Sequence, residues 1–207
     1  MASVECRDRR KGRLLASLVL ALGLSFGAIG ASGAAPETRA GKQVRLVDVQ
    51  TVDQDERPLY FARDVIGDRI VVVNFIYTSC KTVCPISSAL FARLQDLIRG
   101  KNLKETRLVS ITLDPLYDTP SRLKRYAGQY DAGDQWLWIT GTRDHIAAVT
   151  RGLGASTDNF RDHESLVLVG DARTSTWTAY NTLPEPEILF AEIERLAALR
   201  EHYKAGR

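Results

Sequence analysis

From residue 70 onward the chain alternates between two hydrophobic rhythms. Ile70-Val-Val-Val-Asn-Phe-Ile76 is a continuous apolar run of strand length, the pattern of a strand covered on both faces. Between Pro85 and Ile98 the apolar positions Leu90, Leu94, Leu97 and Ile98 fall at i, i+4, i+7 and i+8, which predicts a helix ended by Gly100. Thr106 to Leu113 reads as the next strand. Thr119 and Pro120 read as N-cap and first turn of a helix reaching Tyr130, with Leu123, Tyr126 and Tyr130 on one side. Trp136 to Thr140 predicts a strand, and Arg143 to Leu153 a helix with Ile146, Val149 and Leu153 inward. Ser165 to Val169 and Ser175 to Tyr180 predict a hairpin, and Pro184 to Leu199 a final helix carrying Leu189, Ile193 and Leu196. Strands alternating with helices, followed by a hairpin and a helix, predict an α/β layer architecture: a central mixed β-sheet flanked by helices.

The first 35 residues follow neither rhythm. Arg7, Arg9, Arg10, Lys11 and Arg13 precede 22 residues, Leu14 to Ala35, without a charge, and the stretch closes on Ala31-Ser-Gly-Ala-Ala35. A basic start, an apolar middle and small residues at the end predict a secretory signal peptide. The uncharged run also reaches the roughly 20 residues that span a bilayer, so an uncleaved N-terminal membrane anchor is the alternative. Both readings export the remainder, to the periplasm or to a membrane facing it. The expected organisation is 1–35 targeting segment, 36–45 polar linker, 46–199 a single globular domain, and 200–207 a frayed tail. No internal repeat or low-complexity tract interrupts it.

Export changes the charge balance. The whole chain of 207 residues has 28 basic and 25 acidic residues and a net charge of +3. The first 35 hold five of the basic and two of the acidic ones, leaving 23 of each. A neutral domain without a basic, aromatic-laced stripe does not predict nucleic-acid binding. Of three cysteines, Cys6 belongs to the targeting segment, so the exported domain keeps only Cys80 and Cys84.

Those two interrupt the pattern where it matters. Phe75-Ile-Tyr-Thr-Ser-Cys80-Lys-Thr-Val-Cys84-Pro85 runs from the end of a predicted parallel strand into the start of a helix, the carboxyl edge of the sheet where open α/β folds place ligands. The residue before a proline is biased away from helical geometry, so Cys84 is expected to cap the helix that Pro85 begins. The helix N-terminus and Lys81 both favour a thiolate. Such a pair can form a short-loop disulfide, act as a nucleophilic thiol couple, or hold a soft metal.

The segment Tyr77-Thr-Ser-Cys80-Lys-Thr-Val-Cys84-Pro85, then Ser110-Ile-Thr-Leu-Asp114-Pro-Leu-Tyr-Asp118-Thr-Pro120, then Trp136-Leu-Trp-Ile-Thr-Gly-Thr142, then Asp162-His163-Glu164-Ser165 resembles the Sco/SenC family in order and spacing. The resemblance covers residues 45 to 199. It implies a thioredoxin-like fold, an exported or membrane-anchored protein, and copper held by Cys80, Cys84 and His163. It further implies service in assembling the dinuclear copper centre of cytochrome c oxidase, as copper donor, as thiol reductant, or both. Two thiolates and an imidazole suit Cu(I), and resemble His-Cys sets that hold Cu(II). One departure is that Lys81-Thr82-Val83 stands where family members usually carry an acidic Pro-Asp element.

A thiol-disulfide oxidoreductase that uses Cys80 and Cys84 as a redox pair without obligatory metal remains the alternative. The peroxidase motif Pro-x-x-x-Thr-x-x-Cys is absent, since Thr78 lies two residues before Cys80. Asp114 and Asp118 read as turn and helix-capping residues. His145 and His202 read as solvated, and Trp136, Trp138 and Tyr77 as core or rim aromatics.

Overall fold

In the computed structural model, which describes residues 38–155 and 165–205, one eight-stranded mixed sheet forms the centre. In chain order the elements are β1 (Thr38–Ala40), β2 (Gln50–Asp53), β3 (Pro58–Tyr60), a π-helical turn (Phe61–Ile66), β4 (Ile70–Ile76) and α1 (Val83–Gly100). There follow β5 (Thr106–Thr112), α2 (Pro120–Ala127) with a 3-10 turn at Gly128–Tyr130, β6 (Trp136–Thr140) and α3 (Arg143–Leu153). The chain ends with β7 (Val167–Asp171), β8 (Thr176–Tyr180) and α4 (Pro186–Ala205). The spatial order is β1-β8-β7-β4-β5-β6-β2-β3. Strands β4, β5 and β6 run parallel, while β7 lies antiparallel beside β4 and β2 beside β6.

Every residue of β4 is buried, as its unbroken apolar run predicts. Because successive side chains point to opposite faces, Ile70, Val72 and Ile76 join one core with residues of α1, α2 and α4. Val71, Val73 and Phe75 join a second core with Phe61, Val65 and Ile66 of the π-helical turn and Ile146, Val149 and Leu153 of α3. Burial of each such side chain contributes about 1.5–3 kcal/mol, and the two cores hold β4 rigid up to the residue where the cysteine loop leaves it.

The predicted spans of β4, β6 and α3 coincide with the observed ones. Other element ends shift by one to three residues, and three regions differ by more. Residues 38–40, inside the expected linker, pair with β8 as an edge strand. Residues 50–60 form a β2–β3 hairpin whose strands are too short to show periodicity. The expected tail is helical to Ala205, because Arg200 is buried and its guanidinium grips Asp171 through two bonds of 2.7 Å and Glu105 at 3.0 Å. A charge in that position reads as solvated in sequence, and only the fold brings its two carboxylate partners to it.

Candidate thiol and copper site

Parallel pairing of β4 with β5 sets Ile76 beside Thr112, so the loops that leave these strands emerge side by side. The Leu113 N–H donates to the Ile76 carbonyl at 2.8 Å and continues the ladder into both loops. Antiparallel pairing of β7 places Val167 beside Asn74, so the chain enters β7 at the same edge. Residues 77–84, 113–119 and 165–166 therefore meet at the carboxyl end of the central strands.

Helix α1 starts at Val83, with Thr82 as N-cap, so Cys84 lies inside the first turn rather than capping it. The expectation from Pro85 fails for a simple reason. The first four N–H groups of a helix have no carbonyl partner within it, and a proline placed there forfeits nothing. The orphan N–H of Cys84 instead donates to the Cys80 sulfur at 3.5 Å, and Thr82 Oγ1 lies 3.6 Å from the same sulfur. Both thiols are unpaired by any disulfide, and both are buried, Cys80 at 6% exposure and Cys84 at 1%.

The two thiols are electrostatically unequal. Burial opposes ionisation of Cys80, but hydrogen bonds from the Cys84 and Thr82 backbones, with those from their side chains, outweigh it and bring its pKa down to about 6. Cys84 points into the core. Burial dominates there, and the neighbouring Cys80 and Asp118 add to it, pushing the Cys84 thiol up to about 12 against an opposing hydrogen bond from the Tyr77 backbone. At neutral pH the balance at Cys80 favours the thiolate and that at Cys84 the protonated thiol.

Asp118 organises the edge. Its buried carboxylate accepts from the Thr78 N–H at 3.0 Å, from the Thr78 hydroxyl, and from the Thr112 hydroxyl at 2.6 Å. Thr112 Oγ1 in turn accepts from the Asp114 N–H at 3.0 Å. The cysteine loop is thus clamped to the loop after β5. Thr119, not Asp118, is the N-cap of α2, its hydroxyl accepting from the Arg122 N–H. Beneath α1 a second polar chain crosses four elements: Trp136 Nε1 donates to Ser110 Oγ at 2.9 Å, Ser110 to Asn74 at 2.7 Å, and Asn74 to Ser87 at 2.8 Å. Ser87 lies one turn beyond Cys84, so this chain fixes the helix that carries the thiol.

Of the expected copper ligands, Cys80 and Cys84 come together and His163 lies outside the described residues. Ser165 and Leu166 line a small cleft with Cys84, Val83, Ser87, Phe75 and Leu183. Among the described residues no three His, Cys, Asp or Glu side chains converge in a metal-binding group. Trp136 and Trp138 are fully buried, stacked with ring centroids 4.8 Å apart, in the core that also holds Cys84. His145 sits in the first turn of α3, with Nδ1 2.7 Å from the Gln50 carbonyl oxygen, and His202 is exposed. The sequence reading missed the roles of Thr78, Thr112 and Asp118. The available signal was a buried-strand threonine and an aspartate six residues apart, with Thr78 ahead of the first cysteine.

Known proteins resemble this arrangement. A protein of Stutzerimonas stutzeri named for copper binding is 31% identical over 119 residues, 58% of this chain and 54% of the relative. The matched stretch thus spans about half of that relative's length. BsSco, a member of the Sco family of cytochrome c oxidase assembly proteins in which a disulfide switch has been identified, superposes with a TM-score of 0.64 at 19% identity. That match covers 80% of this chain and 97% of BsSco. ScoI of Bradyrhizobium japonicum, solved with copper bound, gives a TM-score of 0.56 at 24% identity over 73% of this chain and 98% of its own. These neighbours establish the thioredoxin-like fold. With residues 42–198 matching SCO1/SenC as a family, the chain belongs to the SCO1/SenC family.

Proposed function

We propose that this chain is an exported copper-binding protein in which Cys80, Cys84 and His163 hold the ion, and that it serves assembly of the copper centre of cytochrome c oxidase by delivering copper, reducing thiols, or both. The observation that carries this reading is the adjacent, unequal thiol pair at the carboxyl edge of β4. A soft Cu(I) ion suits two sulfur donors and an imidazole. Support for His163 comes from chain length. Ser165 lines the cleft beside Cys84, and a residue two positions earlier is at most about 7 Å of extended chain away. The copper named for the Stutzerimonas protein and bound in ScoI, and the oxidase role of BsSco's family, point the same way. Export rests on the charge-free run after Arg13. Among the described residues no helix is long and apolar enough to cross a membrane.

A second reading keeps the thiols and drops the metal. The split between Cys80 and Cys84 suits disulfide exchange, in which the thiol of lowered pKa attacks and the more deeply buried one resolves. Replacing His163 by alanine separates the two. Disulfide formation needs only the sulfurs, so His163→Ala retains it, whereas copper affinity measured by chelator competition falls at least tenfold, about 1.4 kcal/mol per decade. Equal copper affinity in variant and parent removes His163 from the ligand set. A reduced parent that binds no copper leaves the exchange reading alone.

A further inference from the structure

Beside the cysteine loop, on the face that carries α2, lies a cleft of about 330 Å³ lined by Thr78, Tyr117, Arg122, Arg125, Tyr126 and Gln129. Thr78 belongs to the loop that ends in Cys80. Tyr126 packs in the same core as Cys84. Arg122 is stacked on Tyr117, its guanidinium carbon 3.7 Å from the ring centroid, which holds the fork in place and leaves its donors uncommitted to a carboxylate. Among the described residues neither Arg122 nor Arg125 has an ion-pair partner, and neither has Lys81; Lys124, on the same helix, is paired with Asp55 at 3.0 Å. Asp118, the buried carboxylate that holds Thr78, is occupied by Thr78 and Thr112. The first turn of α1 and the loop after β5 carry exposed large apolar side chains: Leu116 is 76% exposed, Ile86 58% and Tyr117 47%. Ile86 is two residues beyond Cys84, and Leu116 and Tyr117 belong to the loop that Asp118 fastens to Thr78.

We propose that this cleft docks a segment of the protein that exchanges copper or thiols with Cys80 and Cys84, and that the segment carries paired carboxylates beside an apolar residue. The inference rests on the function proposed above and names the chemistry of its partner. Two unpaired guanidiniums in a concave site match two carboxylates, and the exposed Leu116 and Ile86 supply the apolar contact that a charged surface alone lacks. A thiol partner held there presents its sulfur to Cys80 while its acidic side chains engage Arg122 and Arg125. The charge match also steers encounter, an effect that salt weakens.

The test uses the purified full chain and two fluorescent ten-residue peptides, one containing Glu-Glu-Leu and the other Gln-Gln-Leu. The parent binds the acidic peptide about tenfold more tightly at low salt, as two exposed charge pairs of roughly 0.7 kcal/mol each would give. The preference shrinks in high salt. R122E/R125E loses it, whereas R143E/R151E, an equal charge change on α3 across the sheet, keeps it. Equal binding of both peptides by the parent overturns the inference. So does equal loss in both charge-reversed variants, self-association of the parent in place of peptide binding, or attachment only to anionic vesicles. Copper competition and disulfide exchange are measured on the same parent sample. Peptide selectivity that survives where both of those fail leaves the docking cleft standing and removes the proposed function.

Discussion

Asp118→Ala removes the acceptor for three hydrogen bonds that hold the cysteine loop against β5. The Thr78 N–H cannot turn elsewhere, and because Thr78 is half-buried the loss of its acceptor falls at the low end of the roughly 1–3 kcal/mol that an unpaired donor costs. The hydroxyls of Thr78 and Thr112 can rotate toward other acceptors, so each loses only about 0.5–1.5 kcal/mol. Against this, a carboxylate at 0% exposure with no salt bridge among the described residues carries a desolvation penalty that the substitution relieves. The net expectation is a loss of about 2–4 kcal/mol, a large part of a domain stability of about 5–15 kcal/mol. Urea unfolding followed by the fluorescence of buried Trp136 and Trp138 measures it. A double-mutant cycle with Thr78→Val isolates the clamp and gives a coupling of about 1–2 kcal/mol. If Asp118→Ala lies within about 0.5 kcal/mol of the parent, the clamp is not what orders the loop.

Asp118→Asn separates charge from shape. The amide keeps one acceptor oxygen and removes the negative charge that helps to push the Cys84 thiol up. Its thiol then titrates lower than in the parent, while burial, the larger cause, keeps it above the ordinary range. A Cys84 that titrates as before would show that Asp118 acts on the loop through geometry alone.

Alkylation by iodoacetamide of the reduced chain is expected to rise with pH through a midpoint near 6 and to modify Cys80, with Cys84 protected at pH 9; a single midpoint near 9 for both residues contradicts the assigned asymmetry. Asp171→Asn breaks a buried pair with Arg200 and is expected to cost about 3–5 kcal/mol in urea. Burial works against the Asp171 carboxylate, but hydrogen bonds from Arg200 and the Arg173 backbone hold its pKa below the usual value. A depressed folded pKa means stability that is present above the unfolded value of about 3.9 and lost as pH falls through the folded one. The parent therefore loses stability on acidification below about pH 4, and Asp171→Asn flattens that part of the profile; an unchanged slope removes the pair as its source.

The sequence reveals the elements whose pattern is long and one-sided. Ile70–Ile76 and Arg143–Leu153 are legible because continuous burial and a 3.6-residue period leave one interpretation each. Cys80 and Cys84 are legible because two thiols at a strand-to-helix junction have few uses. Arg200 is illegible, since its burial depends on Asp171 and Glu105, 29 and 95 residues away. Asp118 is half legible. Its position before Thr119-Pro120 announces a helix start, but a capping aspartate and a buried one look alike until β4 and β5 pair and bring Thr78 to it from 40 residues away. The inequality of the thiols belongs to the same class. Lys81 and the helix N-terminus predict a lowered pKa for the pair as a whole, and only the direction of each side chain assigns the effect to Cys80 and the opposite one to Cys84.

That inequality is what allows one site to serve both arms of the proposed function. A thiolate at Cys80 attacks a disulfide or captures a soft cation without first losing a proton, and the first-turn N–H of Cys84 steadies it in the absence of either. Cys84 remains a protonated, buried thiol, which is a poor leaving group and a slow nucleophile until a mixed disulfide or a cation reaches Cys80. The second sulfur is thus engaged after the first, whichever partner arrives. Holding this order requires that the loop bearing Cys80 and the helix bearing Cys84 stay in register; the Asp118 clamp fastens the loop and the Ser110-Asn74-Ser87 chain fastens the helix. The chemistry sits on two side chains four residues apart, but its sequence of events is set by residues as distant as Ser110 and Asp118.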